Sequence, residues 1–352
     1  KYILRYNNST SLMDYQGTTP DMESKFKHNA QVAAAYLSYI FTAGKWAARA
    51  GLRYEFTRMK ASYPDGSNAD YHANLNDWVP SASLQYKISD GQTLKFSYNT
   101  SINRPGIGYL NPAIISTPTA VSFGNANLGS SRNQTLQLSY MLVTSKLTLQ
   151  LSPYYSFTNN GIGRILYEQN RKDVSTYQNV LKNKVFGISS YTEWTPFTGT
   201  SFTLNASMRY ARITLPTPAI KNSGCGGDIY FNWEQKIPWE LTLTTSIGGE
   251  YGNSIYNPYA IAGHWFYYDF TLTRRFLKDK LTVSLSAESP FIKERSSTYR
   301  IVRGDYTGYE RAVMKPQRFE IGLSWSFGKL KASVKKAERS IQNDDLVGGG
   351  KK

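Results

Sequence analysis

The sequence predicts an all-β protein, an antiparallel up-and-down transmembrane β-barrel with about fourteen strands in view. Three observations lead there. Stretches of about ten residues alternate apolar and polar, as strands with one greasy and one wet face must. Short and long connections between these stretches alternate along the chain, as they do between the two rims of such a barrel. The strand count is even, which brings both ends of an up-and-down wall to the same side.

Trp78, Pro80, Ala82, Leu84, Tyr86 and Ile88 interleave with Ser81, Ser83, Gln85 and Lys87, and Leu147, Leu149, Leu151, Pro153, Tyr155 and Phe157 with Thr148, Gln150, Ser152 and Ser156. From the start, strands are expected at Tyr2 to Asn8, His28 to Phe41 and Trp46 to Met59, the last two joined at Ala43-Gly44-Lys45. A polar loop with Pro64-Asp65-Gly66-Ser67-Asn68 follows, then Trp78 to Ile88 and Thr93 to Asn103 across the turn Ser89-Asp90-Gly91-Gln92. Thr135 to Leu142 and Leu147 to Thr158 turn at Thr144-Ser145-Lys146, and the excursion from Asn159 to Lys182 is expected to fold a small hairpin of its own. Lys184 to Thr195 and Ser201 to Ile213 turn at Pro196 to Gly199, Asp228 to Lys236 and Glu240 to Tyr251 at Pro238, and Trp265 to Phe276 and Leu281 to Ser289 at Leu277 to Lys280. The last strand is Gln317 to Phe327, with Phe319, Ile321, Leu323, Trp325 and Phe327 on one face. The barrel portion is therefore 1–327, and the basic segment 328–352, net +4, reads as a flexible periplasmic tail.

Bulk composition agrees with this reading. A mean hydropathy of −0.46 is expected when only alternate residues meet lipid, and no run of 18 apolar residues suggests a membrane helix. The 27 tyrosines suit both strands and membrane–water boundaries. The net charge of +16 fits an anionic lipid, an anionic solute or nucleic acid, but no nucleic-acid motif accompanies it. The single cysteine, Cys225, is expected in a Gly-rich turn (Gly224, Gly226, Gly227), and with three scattered histidines nothing has metal-ligand spacing. No Ser-His-Asp or paired-carboxylate arrangement suggests an enzyme, and neither a cofactor nor a metal is expected. The chain opens on a strand-like Lys1 to Tyr6 rather than a leader, so it is expected to be a piece of something longer or to have lost its leader.

The wet face should line a lumen, since only a closed barrel hides both sheet edges in lipid. Lys87, Lys95, Arg209, Arg275 and Glu320 fall on that face and should charge the lumen, net positive as a whole, although each could simply meet an opposite charge across the wall. The connection from Arg104 to Arg132 is long, holds Pro105, Pro112 and Pro118, and follows an outward strand. It is expected outside, either as a gate or solute-binding loop or as a packed brace for the rim.

Ile102-Asn103-Arg104-Pro105 with Tyr109-Leu110-Asn111-Pro112, then Gly124-Asn125-Ala126-Asn127-Leu128, resembles the Bacteroidetes outer-membrane β-barrels related to TonB-dependent receptors. Ala50 to Glu55 and Trp325 to Lys329 also fit, while Ala126 stands where that family has proline. The resemblance implies location in the bacterial outer membrane, contact with its lipid, and transport of a polar solute through the lumen. It implies a plug domain and TonB contact upstream of Lys1, a 22-stranded barrel of which this chain is the C-terminal part, and a partner surface lipoprotein. Arg104, Pro105, Tyr109, Asn111, Pro112 and Asn125 are the candidate solute-binding positions. A shorter pore, a structural or adhesive barrel and, more distantly, a barrel enzyme are the alternatives.

Overall fold

The computed structural model describes residues 2–4, 24–63, 70–216, 219–303, 306–327 and 346–347. In chain order the strands begin with β1 (Tyr2–Leu4), β2 (Ser24–Ala43), β3 (Trp46–Ser62), β4 (Tyr71–Ser89) and β5 (Gln92–Pro105). After the one-turn helix α1 (Ile107–Leu110) come the short β6 (Ile115–Ser116) and β7 (Ala120–Ser122). The wall resumes with β8 (Ser131–Val143), β9 (Leu147–Gln169), β10 (Lys172–Trp194), β11 (Thr200–Leu215), β12 (Ile220–Ile237) and β13 (Leu241–Gly252). Then follow β14 (Ser254–Asn257), β15 (Ala260–Ala262), β16 (Trp265–Phe276), β17 (Leu281–Glu288), β18 (Arg295–Arg303), β19 (Tyr306–Met314), β20 (Arg318–Trp325) and β21 (Leu346–Val347).

Fourteen of these make an up-and-down wall, each antiparallel to its neighbours: β1 to β5, β8 to β13, β16, β17 and β20. Among the described residues no ladder joins β20 to β1, so the wall is open. One rim carries tight turns. The opposite rim carries α1 with β6 and β7, the tip of the β9–β10 hairpin, and a separate sheet of β14, β15, β18 and β19.

The alternation sorts the two faces. Trp78, Leu84, Ile88, Phe96, Leu138, Ile188, Met208, Ile229, Ile247 and Leu285 are exposed on one face, in the manner of a surface that meets acyl chains. Aromatics bracket this band. Near the turn rim, Trp46 and Tyr86 lie 4.5 Å apart and Trp194 and Phe202 5.6 Å apart. Toward the other rim, Tyr54 and Trp78 are 4.7 Å apart and Tyr155 and Phe157 5.5 Å. Trp78 and Tyr86 are eight residues apart on β4, roughly 27 Å of strand. Tilted at about 40°, that spans roughly 20 Å of membrane thickness, close to the apolar band of such barrels. The other face carries Ser, Thr, Asn, Gln and charged side chains. Asn133 there accepts from Ser156 and Thr158, both at 3.0 Å, and Ser152 donates to Ser139 at 3.0 Å.

Three sequence expectations need correction. The excursion 159–182 is not a separate small hairpin: β9 and β10 run on unbroken to 23 residues each and meet at Asn170-Arg171, both at positive φ, the tight-hairpin geometry. A register shift between Asn179 and Asn183 reverses the in–out phase and hides the continuity. That outer connection is thus short, and the alternation of loop lengths is not strict. Gly224 to Gly227 lie inside β12, not in a turn, and Cys225 is an exposed strand residue. A Cβ on Gly227 would meet the Ser207 carbonyl oxygen and stand 2.7 Å from the Tyr251 hydroxyl, so the glycine marks close strand approach rather than a bend. The loop after β5 departs from its expected outward course as well, packing against β3 and β4. The polar loop at Pro64–Asn68, residues 5–8 of the first expected strand, and nearly all of 328–352 lie outside the described residues. Leu346–Val347 pair in parallel with Arg104–Pro105.

Candidate functional site

The segment 104–132 does not stand outside the rim. It folds back onto the polar face of β3 and β4 near their outer ends. There the inward positions of β3 change from Glu55 and Thr57 to Met59 and Ala61, and those of β4 are Tyr71, Ala73 and Leu75. Leu110 (0% exposed) and Leu128 are buried with Met59, Ala61 and Tyr71, and Ile107, Tyr109, Ala126 and Tyr177 pack around them. An apolar patch on an otherwise wet face is stable only when something covers it, and this segment does.

Its shape comes from the residues that sequence alone singled out. Gly106 opens the single turn of α1, and Asn111 ends it with its amide donating to the Ile107 carbonyl at 2.9 Å. The Asn111 side-chain oxygen accepts from the Tyr63 hydroxyl at 2.5 Å and the Ala113 amide at 3.0 Å. The returning limb is sewn to this turn: Gly124 N–H donates to Asn111 O at 2.8 Å and Asn125 N–H to Tyr109 O at 2.7 Å. At Gly124 a Cβ would stand 2.6 Å from the Tyr109 oxygen and 2.7 Å from the Asn111 nitrogen, so no side chain fits. Asn125 reaches the facing hairpin, its amide donating to the Tyr177 carbonyl at 2.8 Å, while the Tyr109 and Tyr177 rings pack with centroids 4.3 Å apart, tilted by 33°. Burial, with Tyr177 beside it, pushes the Tyr109 phenol up from its ordinary pKa. Asn179 grips Gly129 from both sides, accepting from its N–H at 2.8 Å and donating to its carbonyl at 2.9 Å. β7 adds a parallel ladder to β10 at Asp173–Ser175.

Electrostatics anchor the segment's start. Arg104 (1% exposed) forms an ion pair with Glu55 (2% exposed), which Arg53 also contacts. Glu55 faces Asp77 across the β3–β4 ladder. Asp77 accepts from the Ser130 hydroxyl at 2.6 Å and has Arg132 at 3.6 Å. Two buried carboxylates are thus held by the first and last residues of the segment. β5 leaves β4 beyond the Ser81–Asn99 pair, and a polar cleft lined by Asn74, Asn76, Asp77, Ser130, Arg132 and Gln134 opens there.

Arg104, Pro105, Tyr109, Asn111 and Asn125 therefore come together, each spending its polar groups or surface on holding the segment, and Pro112 continues the same backbone. Sequence reasoning missed Glu55, Asp77, Tyr63, Tyr177 and Asn179. The signal available was the change of inward residues from polar to apolar along β3. Of the expected lumen charges, Arg209 pairs with Asp228 at 3.1 Å, which also accepts from Ser207 at 2.6 Å. Lys87 lies 2.7 Å from Asp90, and Arg275 4.0 Å from Asp279, both at the turn rim. Lys95 is exposed on the polar face. Among the described residues no three His, Cys, Asp or Glu side chains are grouped to hold a metal ion.

Comparison with known proteins places this geometry. Residues 1–325 match the model of the outer membrane protein beta-barrel family. The unliganded ferric citrate transporter FecA aligns over 92% of this chain and 49% of its own, with a TM-score of 0.63 at 13% identity. The ferric yersiniabactin uptake receptor FyuA from Yersinia pestis gives 0.58 at 15% identity over 87% of this chain and 47% of its own. The siderophore receptor PiuA from Acinetobacter baumannii gives 0.60 at 14% identity over 86% and 44%. The chain spans about half the length of these solved structures. No curated protein matches the sequence.

Proposed function

Because the chain belongs to the outer membrane protein beta-barrel family, with its wall in the outer membrane, we propose that it forms part of a transporter that carries a polar solute through its lumen. In this reading segment 104–132 is a constriction on the solute path. The observation that carries the reading is the inward packing of that segment against an otherwise hydrophilic wall. A constriction of this kind narrows a lumen, where an outward loop would only decorate its rim. Solute would pass over Ser, Thr, Asn and Gln side chains whose hydroxyls and amides can replace its water, with Lys95 contributing positive charge.

The shared fold with siderophore and metal receptors supports a TonB-dependent cycle. Such a cycle requires a plug domain and TonB contact outside this chain, and further strands between β20 and β1 to close the wall. A surface lipoprotein over the outer rim, a Bacteroidetes origin, and a non-catalytic role belong to the same proposal. Tyr109, Asn111 and Asn125 then act by fixing the constriction, with solute meeting the surface they hold in place.

The test is a conductance and uptake measurement on the full-length protein in planar bilayers and in cells. Deleting 107–127 should widen the pore and raise conductance, while abolishing energy-dependent uptake. Unchanged conductance after the deletion would remove the constriction from the solute path.

A further inference from the structure

On the outward face, above the outer aromatic row, the strands carry a cluster of exposed cations. Reading up from the lipid band across β10, β11 and β12, Ile188 and Met208 are followed by Phe186, Tyr210 and Cys225 in register. Phe186 and Tyr210 are 63% and 49% exposed. The next row is Lys184, Arg212 and Ser223, and the next is Lys182, Thr214 and Lys221. All four cations are exposed. Lys184 and Arg212 are direct cross-strand partners, which puts their Cβ atoms about 5 Å apart. Lys182 sits two residues along on the same face, and Lys221 two strands over.

Like charges directly opposite on a ladder repel. Among the described residues, no carboxylate pairs with any of the four, and no side-chain hydrogen bond engages them. A second group of outward cations lies above the aromatic pair of β3 and β4. Above Tyr54 and Trp78 come Phe56 and Asn76, then Arg58 with Gln31 and Asn74, then Lys60 with Asn29 and His72. Cations therefore gather on the outward face above the outer aromatic row, where the wall leaves the acyl chains and enters the headgroup layer.

We propose that Lys182, Lys184, Arg212 and Lys221 form a binding site for the phosphorylated headgroup of an outer-leaflet glycolipid. A phosphate between Lys184 and Arg212 relieves their repulsion by charge-assisted hydrogen bonds, with the guanidinium as a bidentate donor and the ammonium as a point charge. Phe186 and Tyr210 one row below offer flat faces to the sugar and the first acyl carbons. The site does not depend on whether the wall carries solute.

The experiment uses full-length protein in detergent, incubated with bisphosphorylated lipid A or with its dephosphorylated form. Retained lipid is counted after gel filtration by native mass spectrometry. Wild-type protein should retain the phosphorylated form about tenfold better. K184E/R212E should fall to the dephosphorylated level, and a charge-matched K278E/K280E control at the turn rim should not. K184Q/R212Q provides the same comparison should the reversal variant fail to fold. Equal retention of the two lipids, or undiminished retention by either Lys184/Arg212 variant, would overturn the proposal. Complete displacement by excess inorganic phosphate would overturn the lipid assignment, because aromatic and acyl contacts would then contribute nothing.

Discussion

Replacing Arg104 by methionine should loosen segment 104–132 while leaving the wall intact. Arg104 and Glu55 are both almost wholly buried, and removing one partner of such a pair typically costs about 3–5 kcal/mol because the other charge is left stranded. Arg53 stays in contact with Glu55 and is half exposed, so the lower end applies, about 3 kcal/mol. The wall strands are locked by long ladders, whereas the segment can lift off and let water reach Glu55. The cost should therefore appear as easier opening, by roughly 150-fold at about 3 kcal/mol. Hydrogen exchange reads this at the Gly124 and Asn125 amides, which donate to Asn111 and Tyr109 within the segment. Exchange there should quicken by about two orders of magnitude, with β11 to β13 unaffected. The E55Q/R104M double variant, which strands no charge, should recover most of the protection. Unchanged exchange in R104M, or a double variant as open as the single, would refute the reasoning.

Gly124→Ala should open the same segment without touching its charges, at about 1–3 kcal/mol for a Cβ forced against the Tyr109 and Asn111 backbone, seen as faster proteolysis between residues 106 and 130. Leu285→Arg on the lipid face should lower refolding stability in vesicles by about 2–4 kcal/mol, whereas Ser284→Arg on the polar face should cost much less; denaturant titration separates them. Brominated lipids should quench the exposed Trp46 and Trp78 more strongly when bromine lies near the headgroup than at the bilayer centre, because both sit in interfacial rows.

Much of the wall was legible because the physics repeats every second residue. Trp78 to Ile88 announces both faces of β4, and each short turn lies within a residue or two of the expected place. What escaped is where that period breaks for a reason elsewhere in the fold. The shift at Asn179–Asn183 reverses phase within β9 and β10, and the glycines of β12 answer to neighbouring strands rather than to a turn. The site divides the same way. Arg104, Tyr109, Asn111 and Asn125 could be picked out by motif, but their direction could not, since it depends on Glu55, Met59 and Tyr177, distant in sequence. A buried Arg–Glu pair joining residues nearly fifty positions apart leaves no local trace.

The central claim is that one face of this wall meets lipid and the other meets water. Spin labels placed singly at residues 78 to 88 of β4, in a Cys225→Ser background, test it most directly in reconstituted full-length protein. Accessibility to oxygen should peak at 78, 82, 84 and 88, and accessibility to a water-soluble nickel chelate at 81, 83, 85 and 87, in opposite phase. Loss of the two-residue period, or both probes peaking at the same positions, would contradict the account.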